Sequence, residues 1–247
     1  MPCTDDGVSF IRRERLDYIA KALSGTRYRE TVLPVARIYR AEAFDGEKPF
    51  VVFSSHVDEL PTKPWSDEVS VDKIGTCLKG TYDNAITNAV LLYLMVGGHL
   101  DAQAVVAFTG NEEGENGLYM EGAKQVLKEL HPRPGTDFFV VLDVTAEGKL
   151  EKDDFTLENV FPREKLTRAK VMSELCGRIA NAGCFSCIPD GWEDEAWLYD
   201  QYGFACCSLC IPTIGPMHDN RGLIVRKEAV PGYAAALEAL SKPYPAM

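Results

Sequence analysis

The sequence predicts an α/β protein with a mixed, mostly parallel central sheet and helices on both faces. Two observations lead there. Several short strands read as apolar throughout, as in Ala104-Val105-Val106-Ala107-Phe108 and Phe138 to Leu142; such strands are buried on both faces, the habit of parallel sheets. Segments with helical spacing lie between them, and strands alternating with helices indicate helices packed on a sheet. At 247 residues and 46% hydrophobic content, one core suffices, and a single domain over residues 1–247 is expected.

Residues 8 to 24 read as an amphipathic helix, with Phe10, Ile11, Leu16, Ile19, Ala20 and Leu23 on one face and Gly25 at its stop. Val32 to Ala41 and Phe50 to Ser54 read as strands, separated by the Asp45-Gly46 turn signal. Residues 57 to 82, broken by Pro61, Pro64, Gly75 and Gly80, read as loop and short strand. Asn84 to Val96 is predicted helical, packing through Ala85, Ala89, Leu92 and Val96, and Gly97-Gly98 ends it. The strand ending at Phe108 follows, then a helix from Leu118 to Leu130 stopped by Pro132 and Pro134. After the strand Phe138 to Leu142, residues 145 to 161 look polar and irregular. Helices are expected over Arg163 to Ala182 and Glu193 to Tyr202, then a strand from Cys206 to Ile211, a loop from Pro212 to Asn220 and a last helix over Lys227 to Leu240.

A net charge of -11 disfavours nucleic acid and anionic membrane surfaces as partners. No apolar run is long enough to span a bilayer, and Met1-Pro2-Cys3-Thr4-Asp5-Asp6 lacks the regions of a signal peptide, so a cytoplasmic protein with reduced thiols is expected. Cys184-Phe-Ser-Cys187 and Cys207-Ser-Leu-Cys210 come close to a zinc-ribbon pattern. The second pair falls in a predicted buried strand, where positions i and i+3 face opposite sides, so it cannot easily share a metal. Buried cysteine acting as a small hydrophobe is the better account.

The chemistry gathers at predicted strand ends. Glu112 and Glu113 follow the strand ending at Phe108, and two neighbouring carboxylates repel unless one is protonated or bound to a cation. The economical arrangement is a metal site in which one glutamate ligates and the other moves protons. His56 and Asp58 follow the strand ending at Ser54, Asp83 stands where a loop enters a helix, Asp143 follows Leu142, and His218 lies in the loop after the last apolar strand. The C-terminal edge of an α/β sheet would collect all of them. Singly, each has a plain structural role: Asp83 as a helix N-cap, Asp143 capping a turn, His56 a core or surface histidine. His99 and His131 follow helices and have no ligand-like neighbours.

In order, His56-Val57-Asp58, Gly80-Thr81-Tyr82-Asp83-Asn84, Glu112-Glu113, Asp143 and His218 resemble the co-catalytic two-zinc exopeptidases. That group includes the bacterial leucyl aminopeptidases, the carboxypeptidase G type enzymes and the tetrahedral aminopeptidases. The resemblance covers roughly residues 50 to 240. It implies two divalent ions, zinc or else cobalt or manganese, with Asp83 bridging, His56 and Asp143 completing one ion, and Glu113 and His218 the other. It implies that Asp58 accepts the far N–H of His56 and fixes its tautomer. It also implies that Glu112 acts as general base on water and then protonates the leaving amine.

Asp143 and His218 are 75 residues apart, too few for the lid of the carboxypeptidase G type, and the 24 residues between Asp58 and Asp83 leave no room for the small β domain of the tetrahedral aminopeptidases. The chain resembles the bare catalytic domain. Tyr82, before the bridging Asp83, either narrows the pocket or packs. Gly191-Trp192-Glu193-Asp194-Glu195-Ala196 resembles the family's substrate-side loop, which makes Asp194 and Glu195 candidate anchors for a substrate ammonium. Arg221, shortly after His218, is a candidate anchor for a carboxylate. The expected activity is hydrolysis of the N-terminal bond of a small peptide or amino-acid amide, by an aminopeptidase or dipeptidase. Carboxypeptidase, deacylase and glutaminyl cyclase-like chemistry stay open on the same residues, as does a non-catalytic binding role. Substrate side chain and oligomeric state are not readable.

Overall fold

A computed structural model describes residues 10–58, 71–74, 76–80, 82–114, 119–162, 167–215 and 222–244. The elements in chain order are α1 (Phe10–Leu23), β1 (Tyr28–Val32), β2 (Ala36–Ala41), β3 (Val51–His56), β4 (Val71–Ile74), β5 (Cys77–Gly80), α2 (Ala85–Gly97), β6 (Ala104–Thr109), α3 (Glu121–Leu130), β7 (Phe138–Thr145), β8 (Phe155–Phe161), α4 (Arg168–Ile179), β9 (Phe185–Ile188), α5 (Glu195–Gln201), β10 (Ala205–Ile214), β11 (Leu223–Arg226) and α6 (Ala229–Leu240). The strands form one sheet in the order β1-β2-β6-β3-β7-β10-β11-β5-β4, with β8 paired to β10 and β9 to β8. The centre, β6-β3-β7-β10, is parallel, and antiparallel strands flank it. This is the mixed, mostly parallel α/β sheet that the apolar strands predict.

Strand side chains alternate between the faces. Val51, Phe53, Val106, Phe108, Val140 and Leu142 join the cluster under α1, α2, α4 and α6. Val52, Val105, Ala107, Phe139 and Val141 join the cluster under α3 and α5. Both faces are therefore dry, and the polar residues of these strands are pushed toward their C-terminal ends. Gly122 shows why small residues sit there: a Cβ on it would lie 2.6 Å from the backbone nitrogen of Gly110, so α3 starts in direct backbone contact with the turn after β6.

Several elements differ from the sequence reading. Val32 to Ala41 is not one strand: Val32 ends β1, the chain reverses over 33–35, and Ala36–Ala41 returns as β2, antiparallel to it. Of the face of α2 named above only Leu92 is buried; Ile86, Val90, Leu91, Leu94 and Met95 pack with it, while Ala89 is exposed and Val96 is 54% exposed. That helix is apolar on most of its circumference, so spacing alone cannot pick the packed side. Strand β7 runs on to Thr145, which places Asp143 inside the strand and not beyond it. Residues 145–161 contain a wholly buried strand, β8, where irregular chain is expected. Its Thr156 and Glu158 are buried as well, which hides the alternation of Phe155 and Leu157 from a hydrophobicity scan. Asn159 adopts φ 47°, and the pairing with β10 shifts register there, as in a β-bulge. Strands β9 and β11 also go beyond the sequence reading, and Pro212 to Ile214, expected in a loop, continue β10. No helix among the described residues is long and apolar enough to cross a membrane.

Candidate active site

Strand β3 delivers His56 to the C-terminal edge of the parallel sheet, level with Thr109, the last residue of β6. The imidazole is almost completely buried, and its Nε2 lies 3.3 Å from Asp83 Oδ1 and 3.5 Å from Asp143 Oδ1. Its Nδ1 faces the Asp58 carbonyl at 3.1 Å, with the Asp58 carboxylate further off at 3.8 Å. A proton on Nδ1 is thus held by Asp58, leaving the Nε2 lone pair directed at the carboxylates. Asp58 has a second task. Its carboxylate accepts the backbone N–H of Glu112 at 3.3 Å and of Glu113 at 3.1 Å, and so fixes the turn that carries both glutamates. The sequence reading gives Asp58 only the imidazole; its carboxylate principally holds this turn.

Asp83 precedes α2, whose N-terminus is bolted to the sheet. Asn84 Nδ2 donates to Ser55 Oγ at 3.2 Å and to the Leu142 carbonyl, and Asn88 Nδ2 donates to the His56 carbonyl at 2.8 Å. The helix N-cap is Asn84 and not Asp83, the residue considered for that role. His56, Asp83 and Glu113 each offer one ligand atom, all within 4.8 Å of one another. Imidazole nitrogen with carboxylate oxygens is a donor set that suits zinc and neighbouring divalent ions.

The electrostatics agree with that fit. Burial alone pulls the His56 imidazole down, but hydrogen bonds to Asp143 and Asp83 overcome it and carry the group well above its ordinary value. Burial pushes Glu112 well up, against His56, and Asp143, Glu113 and Glu195 push it further. Burial likewise raises Asp143, with His56 opposing and Asp83 adding to the rise. Carboxylates this close together favour a bound cation of any kind.

The cluster lies on a cleft of about 310 Å³, lined also by Tyr119, Thr145, Ala146, Glu158, Trp192, Glu193, Asp194 and Cys210. Also lining the cleft, Asp194 caps α5, its Oδ1 accepting the Ala196 N–H at 2.8 Å. Its Oδ2 accepts from Ser208 at 2.5 Å and Asn159 at 3.2 Å. Burial, with Asp143 nearby, pushes Asp194 up to about 7 in spite of these bonds. Glu158 accepts the Thr156 hydroxyl at 2.5 Å, and burial raises it too.

Of the remaining sequence candidates, Glu195 does not reach the cleft. It is buried toward β3, where it accepts from Ser54 at 2.5 Å in contact with Tyr199, because the first turn of α5 points it back at the sheet. Tyr82 packs in the hydrophobic cluster under α1 and α2 and takes no place on the cleft wall. His218 and Arg221 lie outside the described residues. Glu158, which lines the cleft, and Asn159 and Ser208, buried partners of Asp194, are residues that the sequence reading passed over; the alternation Phe155-Thr156-Leu157-Glu158 was the available signal for the first. The cysteines of the two pairs are dispersed: Cys207 lies in the core, Cys210 lines the cleft, and Cys187 Sγ lies 3.5 Å from Cys176 Sγ.

A family model described as Peptidase family M28 matches residues 35–213. Among curated proteins none matches the chain in sequence. Among solved structures, the dodecamer titled PhTET1-12s is similar with a TM-score of 0.71 and 14% identity, over 98% of this chain and 95% of that one. An aminopeptidase from the archaeon Desulfurococcus kamchatkensis gives 0.69 and 13%, over 93% and 89%. A TET aminopeptidase from the marine sediment archaeon Thaumarchaeota archaeon SCGC AB-539-E09 gives 0.66 and 12%, over 92% and 90%. At these identities the likeness is one of fold.

Proposed function

The chain belongs to peptidase family M28, and on that footing we propose that it is a two-metal aminopeptidase, removing the N-terminal residue of small peptides or hydrolysing amino-acid amides. The observation that carries the reading is the cleft itself: the cluster His56, Asp83 and Glu113, with Asp143 beside it, opens onto a wall whose described residues include Glu158, Glu193 and Asp194 and neither Lys nor Arg. A free ammonium is matched by such a wall, whereas a free carboxylate needs a cation.

In this reading Asp83 would serve both of two divalent ions, zinc by preference. His56 and Asp143 would help to hold one, and Glu113 with His218 the other. Bound there, the metal supplies Lewis acidity to the scissile carbonyl and acidity to a water. Glu112 takes the proton of the attacking water and later gives it to the leaving amine. A carboxyl pushed up by burial suits both halves of that transfer. The whole chain acts as one catalytic domain.

A matched pair of dipeptides tests the assignment, one N-acetylated and one C-amidated, with zinc, cobalt or manganese added to chelator-treated protein. The expected result is cleavage of the amidated peptide only. Cleavage of the acetylated peptide alone moves the assignment to carboxypeptidase or deacylase. Failure of both, in protein that takes up no metal, removes the two-metal reading.

A further inference from the structure

We propose that Arg15, on the N-terminal helix, is a positioning residue for the metal ligands, so that α1 is a working part of the site. The inference rests on reading His56 and Asp83 as ligands. Arg15 Nη1 donates to the Val57 carbonyl at 3.0 Å and to the Asp83 carbonyl at 3.4 Å. Val57 stands between His56 and Asp58, and Asp83 is the residue assigned to bridge, so one guanidinium nitrogen ties two ligand-bearing segments that are distant in sequence. The other constraints on the first segment come from within it or from neighbouring sheet and helix. Asn88 takes the His56 carbonyl at 2.8 Å, the Asp58 carbonyl faces its own imidazole at 3.1 Å, and the Val57 N–H donates to the Thr109 carbonyl at 2.8 Å. The Val57 carbonyl is the one in this triplet held from outside the stretch that the family model matches, residues 35–213.

Helix α1 is well placed to carry that load. Leu16, Ile19 and Leu23 are buried in the cluster it shares with α2, which sets the helix axis, and Arg15 lies one residue from Leu16 at the partly buried edge. Nη1 carries two N–H groups fixed in the guanidinium plane on a long stem, and that geometry, more than the charge, lets one nitrogen serve two carbonyls. A lysine in its place keeps the charge and loses that fixed planar pair. Loss of the bridge leaves both carbonyls to reorient, and the imidazole and the Asp83 carboxylate move with their own backbones. Groups that orient metal ligands in this indirect way typically govern affinity by about 10- to 100-fold.

The test uses full-length protein freed of metal by chelator and titrated with zinc alone, then with cobalt for its visible spectrum. Arg15→Ala and Arg15→Lys are compared with the wild type. The expected result is zinc affinity weaker by at least tenfold in Arg15→Ala, a changed cobalt spectrum, and little shift in the metal-free melting temperature. Arg15→Lys is expected to stay several-fold weak. Added guanidinium should restore zinc affinity to Arg15→Ala, and added methylammonium should not. Wild-type affinity and spectra in both variants overturn the proposal. So does collapse of the metal-free fold in both, which makes Arg15 an anchor of the helix and nothing more. If the wild type takes up no zinc, the ligand reading fails and this inference fails with it; if only the variants match a zinc-binding wild type, the ligand reading stands and this inference alone is lost.

Discussion

On the cleft, Asp83 and Asp143 face a single imidazole nitrogen, and Glu112 gains further negative neighbours. On the same cleft, Asp194 is ringed by the Ser208 hydroxyl, the Asn159 amide and the Ala196 N–H. Both groups are acids removed from water at the edge of the same sheet. They differ in what surrounds them. Three donors fixed by the fold offset part of the burial of Asp194, which caps α5 and still stands near 7. In the first cluster the acids raise one another, and in the proposed reading a cation would offset them. Burial of an acid is therefore no guide to function by itself; its neighbours decide what it can do.

The largest effect that would sharpen this contrast lies at the Glu112-Glu113 pair. Glu112→Gln is expected to lower turnover by about a hundredfold to ten-thousandfold with zinc occupancy nearly unchanged, whereas Glu113→Gln lowers zinc occupancy itself. Titration calorimetry beside single-substrate kinetics separates the two. Equal behaviour of the pair would end the division of labour assigned to them.

The next effect is one of stability and pH. Asp194 titrates near 7 in the folded protein against 3.8 ordinarily. Between those values the native chain holds a proton that the unfolded chain has released, so the native state binds more protons and stability falls as pH rises. The contribution is complete below about pH 4 and gone above about pH 7. Its size is of the order of 4 kcal/mol at most. Asp194→Asn keeps a side chain able to cap α5 and cannot ionise. Denaturant unfolding of metal-free protein at pH 4.5, 6 and 7.5 should show wild type losing stability relative to the variant. Parallel curves would mean that Asp194 stays ionised in the fold.

The smallest effect is expected at Glu158, whose carboxylate is already served by the Thr156 hydroxyl. Glu158→Gln keeps an acceptor for it. Stability should change by no more than about 1 kcal/mol, with zinc affinity unchanged. A large loss of zinc affinity would show that the two groups of acids on the cleft are not as distinct as their neighbours make them.

The fold class was legible because dry strands announce themselves: Ala104 to Phe108 and Phe138 to Leu142 are continuous apolar runs, and their neighbours in the sheet need no other signal. Strand β8 was not legible, since Thr156, Glu158 and Asn159 are polar; Thr156 and Glu158 bond each other, and the partners of Asn159, which are Ser208, Asp194 and the Trp192 carbonyl, come from chain far away. The packed side of α2 was lost for the opposite reason, an excess of apolar residues around the helix.

Residue type and order by themselves determined the central apolar strands and the ordered set of His56, Asp83, Glu112, Glu113 and Asp143, because short-range patterning specifies strands and because metal and proton chemistry admit few side chains. Tertiary structure decided what surrounds each of them. Only packing turned Glu195 toward Ser54 and left Asp194 on the cleft, although the two are adjacent in the chain. Only packing sent the Asp58 carboxylate to the backbone of Glu112 and Glu113, and brought Arg15 to the carbonyls of Val57 and Asp83. Hydrogen bonds of this kind join a side chain to backbone far along the chain, and a backbone carbonyl carries no trace of its partner in the residue that bears it.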